Sequence, residues 1–335
     1  IILKKNSSYK NCTAVASRLA NLAEQIKDQK ESYDYYKKAS TLFESCLSKT
    51  KNLKHKKSIN YKLAECLIRT KEWERACRLF YPIFHQDKDR RAIQRDKESG
   101  PYKTKTPITQ KVNPLYLDYI SKILTELASQ SQFKESKEFY AFLLNKAYRD
   151  LTDEFEEFMQ ENRSSKSMLE KYKHLQKVIA WIEGRTFEHR QEKEIDEEFQ
   201  KLQKKARTSK NTNNILYIYK DKYIKLLGEK FKDKSFDLSY SKINRRIKKL
   251  CIHLAYIFTS ELVSKVPKYK KGKIGREYNN PLWWDVKYRQ IYLLYLKEDY
   301  KLAKSVIEIL KIKQKNLGGM KERFEALLEN IKQAE

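Results

Sequence analysis

Chemistry in this chain would have to come from its histidines, cysteines and carboxylates, and their spacing decides what they can do. His55, His85, His174, His189 and His253 never fall as H-E-x-x-H or another close ligand pair, so spacing alone offers no metal site. Cys12, Cys46, Cys66, Cys77 and Cys251 form an odd set without a C-x-x-C pair. That pattern predicts neither a zinc knuckle nor a disulfide framework, and it favours a reducing compartment such as the cytoplasm. Glu156-Glu157 and Glu197-Glu198 are adjacent and splay apart on a helix, so they make no acid/base dyad. No G-x-G-x-x-G, G-x-x-x-x-G-K-[ST] or G-x-S-x-G occurs, and seven glycines leave little material for a phosphate-cradling loop. Neither catalysis nor a cofactor is expected, and no metal.

Two other constellations suit binding. "NPLWWDVKYRQIYLLYLKEDYKLA", residues 280 to 303, holds Trp283, Trp284, Tyr288, Tyr292 and Tyr295 on more than one face of a helix. One set is expected to pack inward and the rest to face a groove, as rigid, amphipathic anchors for a protein partner. "INRRIKKLCIHLAY", residues 243 to 256, sets Arg245, Arg246, Lys248 and Lys249 beside an apolar stripe of Ile243, Ile247, Leu250 and Leu254. With Lys270 and Lys271 of "KYKKGKIGRE", these are candidate contacts to nucleic acid or to an acidic partner. "KGKIGRE", residues 271 to 277, is read as a flexible basic loop before Pro281. Tyr217, Tyr219, Tyr223, Tyr240 and Tyr269 lie in the same basic region, where exposed rings would stack on single-stranded bases.

The elements that position these groups are helices. Seven Gly and six Pro stand against 72 Lys+Arg and 44 Asp+Glu, a composition of long helix-tolerant runs, so an all-α fold is predicted. Ile59, Leu63 and Leu67, then Trp73, Ala76, Phe80 and Ile83, mark two amphipathic helices separated by Arg69-Thr70-Lys71-Glu72, a short-turn antiparallel hairpin. Pro82 is expected to kink or stop the second of them. One phrase recurs four times, as Tyr36-Ala39-Phe43-Cys46, Trp73-Ala76-Phe80-Ile83, Phe133-Ser136-Tyr140-Leu143 and Tyr300-Ala303-Ile307-Leu310. A small residue flanked by large ones lets a neighbouring helix approach closely.

Leu63-Ala64, Leu67, Trp73, Ala76 and Phe80 resemble a tetratricopeptide repeat, and the step from Ala39 to Ala76 approaches that family's period of about 34 residues. Lys71 and Glu298 stand where the repeat often has a turn glycine. The stretch from Trp283 to Gly319 is similar to the last hairpins of large bacterial tetratricopeptide proteins. The resemblance implies antiparallel hairpins stacked as a superhelical array with irregular insertions, acting as a scaffold or adaptor without catalysis.

Five stretches are expected: N-terminal hairpins over 1–86, a basic loop over 87–113, central helices with an acidic ridge over 114–200, a basic helical segment over 201–280, and a C-terminal hairpin with a terminal helix over 281–335. Phe155, Phe158, Ile195 and Phe199 are expected to face inward. Residues 152–199 carry 13 Asp+Glu against 8 Lys+Arg, and residues 201–273 carry 21 Lys+Arg against 5 Asp+Glu. These opposite ridges would meet between two copies, or pair within one chain. The net charge of +28 favours nucleic acid, anionic lipid or an acidic protein face, and it also fits plainly solvated helix faces. No stretch is long and apolar enough to span a bilayer, and Ile1 in place of Met predicts a processed or excised piece. The expected function is a scaffold or assembly subunit for protein partners with an acidic surface, a second copy of itself among them. The alternative is a helical repeat protein binding RNA or DNA through 201–273.

Overall fold

The structure is a computed structural model. It describes residues 9–98, 113–161, 239–271, 277–314 and 316–334, with the isolated helical positions 197, 200, 201 and 204. Most of the acidic ridge, including Phe155, Phe158, Ile195 and Phe199 as packing residues, lies outside the described residues. So do the basic run 205–238 with Tyr217, Tyr219 and Tyr223, and residues 99–112.

The protein is all-α. Ten α-helices are described: α1 (Tyr9–Gln25), α2 (Gln29–Lys49), α3 (Leu53–Arg69), α4 (Trp73–Glu98), α5 (Pro114–Ser129), α6 (Ser136–Glu161), α7 (Tyr240–Lys265), α8 (Pro281–Leu296), α9 (Tyr300–Lys313) and α10 (Lys321–Ala334). No described helix is long and apolar enough to cross a membrane.

Local chemistry starts several helices. Asp28 caps α2, its side chain accepting the Glu31 amide at 2.7 Å in a D-x-x-E arrangement close to a capping box. α5 and α8 begin alike: Asn113 and Asn280 precede a proline and accept the amides of Leu115 at 3.0 Å and Leu282 at 3.3 Å. Proline is well placed there, because the first helical N–H needs no intrahelical partner.

Two hairpins close with the same turn. At the end of α3, Lys71 adopts φ 59°, with Lys71 N–H donating to Ile68 and Glu72 N–H donating to Leu67. At the end of α8, Glu298 adopts φ 67°, with Glu298 N–H donating to Tyr295 and Asp299 N–H donating to Leu294. This double closure satisfies the last carbonyls through a left-handed residue, a position that favours glycine. Lys71→Gly and Glu298→Gly are each expected to raise stability by roughly 0.5–1 kcal/mol, since the left-handed penalty on a side chain is about 1 kcal/mol or more. Urea unfolding of the two variants checks this, and a lower midpoint would contradict it.

The recurrent phrase is a packing device as expected. Ala39, Ala76 and Ala303 are wholly buried and Ser136 is 2% exposed, with Phe43, Phe80, Tyr140 and Ile307 beside them in the core. Pro82 does not stop α4: the helix runs on to Glu98 with the proline inside it. Buried Phe80, Tyr81 and Phe84 anchor both sides of the proline, and their burial offsets the lost hydrogen bond. The supposed loop from residue 87 is therefore helical as far as 98.

The chain divides into two compact units, each drawn from three separate stretches of sequence. Unit 1 comprises residues 1–127, 258–290 and 309–326, and unit 2 comprises 128–257, 291–308 and 327–335. In unit 1, α2 packs on both α1 and α3, and α3 packs on α4. Tyr116 and Tyr119 of α5 meet Phe80 edge-on, and Phe258 packs on Tyr81 and Phe84. In unit 2, Phe133, Phe139 and Phe142 stack in sequence, and Ser136 donates to Asn244 at 2.7 Å.

Two features of unit 1 bear on the expectations. Tyr269–Lys271 (β1) pairs antiparallel with Glu277–Asn279 (β2), Lys270 opposite Tyr278 and Lys271 opposite Glu277, so the two ends of the expected basic loop, Lys271 and Glu277, are strand residues, while 272–276 lie outside the described residues. The ribbon is tied down where Asn280 donates to the Lys268 and Pro267 carbonyls at 2.9 and 2.7 Å. Cys12 and Cys46 form a disulfide across the α1–α2 hairpin, their Cα atoms 6.0 Å apart, while Cys66, Cys77 and Cys251 stay free and buried. A thiol-only chain suited to a reducing compartment is thus not what the fold contains. The hairpin brings together residues 34 apart, a pairing that no local motif announces. Loop closure of that length is worth about 3–4 kcal/mol, so Cys46→Ser is expected to lose that much under oxidising conditions and nothing relative to the reduced wild type. Denaturation with and without dithiothreitol tests both halves.

Candidate functional site

A polar concavity in unit 1 grows from helix periodicity. Lys62, Glu65 and Arg69 recur at i, i+3 and i+7 on α3, away from buried Leu63 and Leu67, so they share one face. α1 contributes Ser17, Ala20, Asn21 and Glu24, α2 contributes Tyr36 and Phe43, and α5 contributes Tyr119 and Lys122, enclosing a cleft of about 670 Å³. A second cleft of about 1330 Å³ shares Glu24, Tyr36 and Arg69 and runs out past Ala23, Ile26, Tyr33 and Lys71. The two together make one trough.

Its floor is neutral. Tyr119 donates its hydroxyl to Glu65 Oε1 at 2.8 Å, and burial, reinforced by Glu65, pushes that phenol up to about 12. Burial also raises Tyr36, with Arg69 pulling it the other way. The Cys66 thiol is pushed up to about 12 by burial and then by Glu65, so at neutral pH it is a protonated lining group and no nucleophile. The walls are charged: Lys30, Lys62, Arg69, Lys71 and Lys122 face Glu24 and Glu65. Lys62 donates to Ser17 at 2.8 Å, whereas Arg69 and Lys122 have no ion-pair partner among the described residues. Among the described residues no cluster of His, Cys, Asp and Glu could hold a metal ion.

The aromatic set divides. Trp284 is wholly buried against Trp283 and Phe324, so it is a core residue and not the partner anchor expected of it. Its ring lies directly on Gly318, leaving no room for a partner. Trp283 is half-buried with the Lys268 ammonium 5.4 Å from its ring. Tyr288 is held between Phe324, at 5.3 Å, and the Arg323 guanidinium, at 4.2 Å. In unit 2, half-buried Tyr292 stacks on Tyr295 at 6.1 Å and Tyr295 leans on Tyr300 at 5.8 Å. Arg245 is exposed, Arg246, Lys248 and Lys249 are half-buried, and Lys270 and Lys271 are exposed.

The class this geometry defines is an all-α protein of antiparallel helical hairpins with a charged trough. Compared with protein-family models, curated proteins and solved structures, the chain matches none.

The trough residues Glu65, Arg69, Tyr119 and Lys122 escape a reading of motifs. The polar stripe of α3 is legible as period, but a stripe becomes a site only when α1 and α5 close over it.

Proposed function

We propose that the protein is a non-catalytic scaffold of tetratricopeptide-like hairpins that holds an acidic polypeptide partner in the trough of unit 1. The observation that carries this reading is the trough itself, long, open and lined by five cations against two carboxylates. It lies open to solvent along its walls, and its neutral tyrosines offer hydrogen bonds without reactive groups. The repeated turn of Lys71 and Glu298 supports an array built from one kind of hairpin.

Arg69→Glu with Lys122→Glu tests the trough. Neither side chain is ion-paired among the described residues, so the loss of stability should stay at about 0.5 kcal/mol, the cost of a carboxylate one turn from Glu65, while retention of the partner falls at least about tenfold, as expected when charge complementarity is reversed. Undiminished retention would overturn the assignment.

A further inference from the structure

The Lys268 ammonium sits in a corner of three aromatic rings in unit 1. Its Nζ lies 5.4 Å from the ring centroids of Tyr269, Trp283 and Trp284. The two indoles, 4.9 Å apart and at 83° to each other, make two walls, and Tyr269 makes the third. The backbone fixes this arrangement. Asn280, 1% exposed just ahead of α8, donates to the carbonyls of Lys268 and Pro267, so one residue holds the lysine beside the helix that carries both tryptophans.

This corner suits a methylated nitrogen better than a bare one. A lysine ammonium is a strongly hydrated point charge with three N–H donors. Lys268 is half-buried, and among the described residues its Nζ meets neither a hydrogen-bond acceptor nor a carboxylate. A trimethylammonium keeps the charge, has no N–H to satisfy, and is the kind of cation that aromatic cages select. The spacing fits it. A methyl carbon about 1.5 Å from the nitrogen and pointed at a centroid would stand about 3.9 Å from it, within the range of contact.

We propose that Lys268 is a site of trimethylation at Nζ, and that the three rings are the cage that holds the methylated side chain. Pro267, Tyr269 and Lys270 are exposed, so the segment is open to a modifying enzyme. In each transfer the deprotonated amine forms a C–N bond to the methyl carbon of a sulfonium donor, whose S–C bond breaks to release a thioether. Each transfer also releases one proton, and three transfers leave a single positive charge on the nitrogen. A free quaternary ammonium ligand fits less well, because it would have to displace Lys268 and enter beside Lys270 and Lys271, whereas methylation in place adds no charge. The cage shares no residue with the trough, and the inference stands apart from the scaffold reading.

Mass spectrometry of the protein purified from its native source is expected to find the peptide spanning residue 268 heavier by three methyl groups, with fragments placing them on Lys268. The fit of the cage is tested on the full chain with Lys268→Cys, alkylated either by bromoethyl-trimethylammonium or by bromoethylamine to install the trimethylated or the unmethylated side chain. Alkylation is confined to that position, because Cys66, Cys77 and Cys251 are buried and Cys12 is bonded to Cys46. Hydrogen exchange of the β1–β2 amides is expected to be roughly fivefold slower in the trimethylated form, the step from an exposed to a desolvated cation–π contact. Adding Tyr269→Ala, at a ring 46% exposed, should shrink that ratio while leaving the protein folded. A native peptide without methyl groups overturns the proposal. So does equal exchange in the two alkylated proteins, or saturable quenching of tryptophan fluorescence in the unmodified protein by tetramethylammonium, which would make the cage a site for a free ligand.

Discussion

Replacing Arg289 with Ala is expected to cost about 3–5 kcal/mol, the range for breaking a buried ion pair and leaving its partner charged. Arg289 is 6% exposed on α8, and its guanidinium is the joint between two helices far apart in sequence. One Nη donates to the Ser121 hydroxyl at 2.7 Å and the Asp118 carbonyl at 3.2 Å, and the other pairs with the Asp118 carboxylate. Its Nε lies 3.2 Å from Asp285, which also pairs with Arg323 of α10 at 3.3 Å, so the network runs from α5 through α8 to α10 within unit 1. Truncation leaves Asp118 half-buried without its cation, while the Ser121 hydroxyl keeps its bond to the Asp118 carbonyl at 3.0 Å. A compensating pair, Asp118→Leu with Arg289→Met, should recover much of the loss, because hydrophobic replacement removes both desolvated charges together. Urea midpoints of the single and double variants measure this. A single-variant loss under about 1 kcal/mol would place the pair with exposed salt bridges of little worth.

Gly318→Ala is expected to be nearly as damaging, at roughly 3 kcal/mol. Gly318 has φ 66°, where a Cβ costs about 1–2 kcal/mol. An added methyl would also overlap the indole of Trp284, and overpacking adds about 1–3 kcal/mol. The ring cannot retreat, since Trp284 is enclosed by Trp283 and Phe324. Gly319 separates the two effects: its φ is 85°, but an added Cβ meets nothing within 4 Å. Gly319→Ala should therefore carry the backbone strain alone, about 1–2 kcal/mol. Equal losses at the two glycines would mean that the indole contact contributes nothing. Because Trp284 is part of this core, its substitution reports stability and not partner recognition.

Helices and their hairpins could be read directly from the chain because they depend on residues three to five positions apart. Ala39, Ala76, Ser136 and Ala303 are buried as the phrase requires, and Lys71 and Glu298, placed at glycine-like turn positions by the resemblance, both take positive φ. Long-range contacts were not legible. The Arg289–Asp118 joint spans 171 residues, and nothing local distinguishes Arg289 from the solvent-facing arginines. Cys12 and Cys46 pair because two helices pack, not because of a motif. Pro82 does not end its helix, since its local penalty is outweighed by the aromatic burial on either side. The Trp283-Trp284 pair illustrates the limit for the site: identical residues one position apart have different fates, as 100° of helix rotation separates the core from its margin.

The central claim, a scaffold that recognises protein, is tested most directly by pull-down of the full chain from its native extract, read by quantitative mass spectrometry. Wild type and the Arg69→Glu, Lys122→Glu double variant are compared with and without nuclease. The account predicts a stoichiometric protein partner that survives nuclease with the wild type and is lost with the double variant. Release of every partner by nuclease, or equal retention by both proteins, would contradict it.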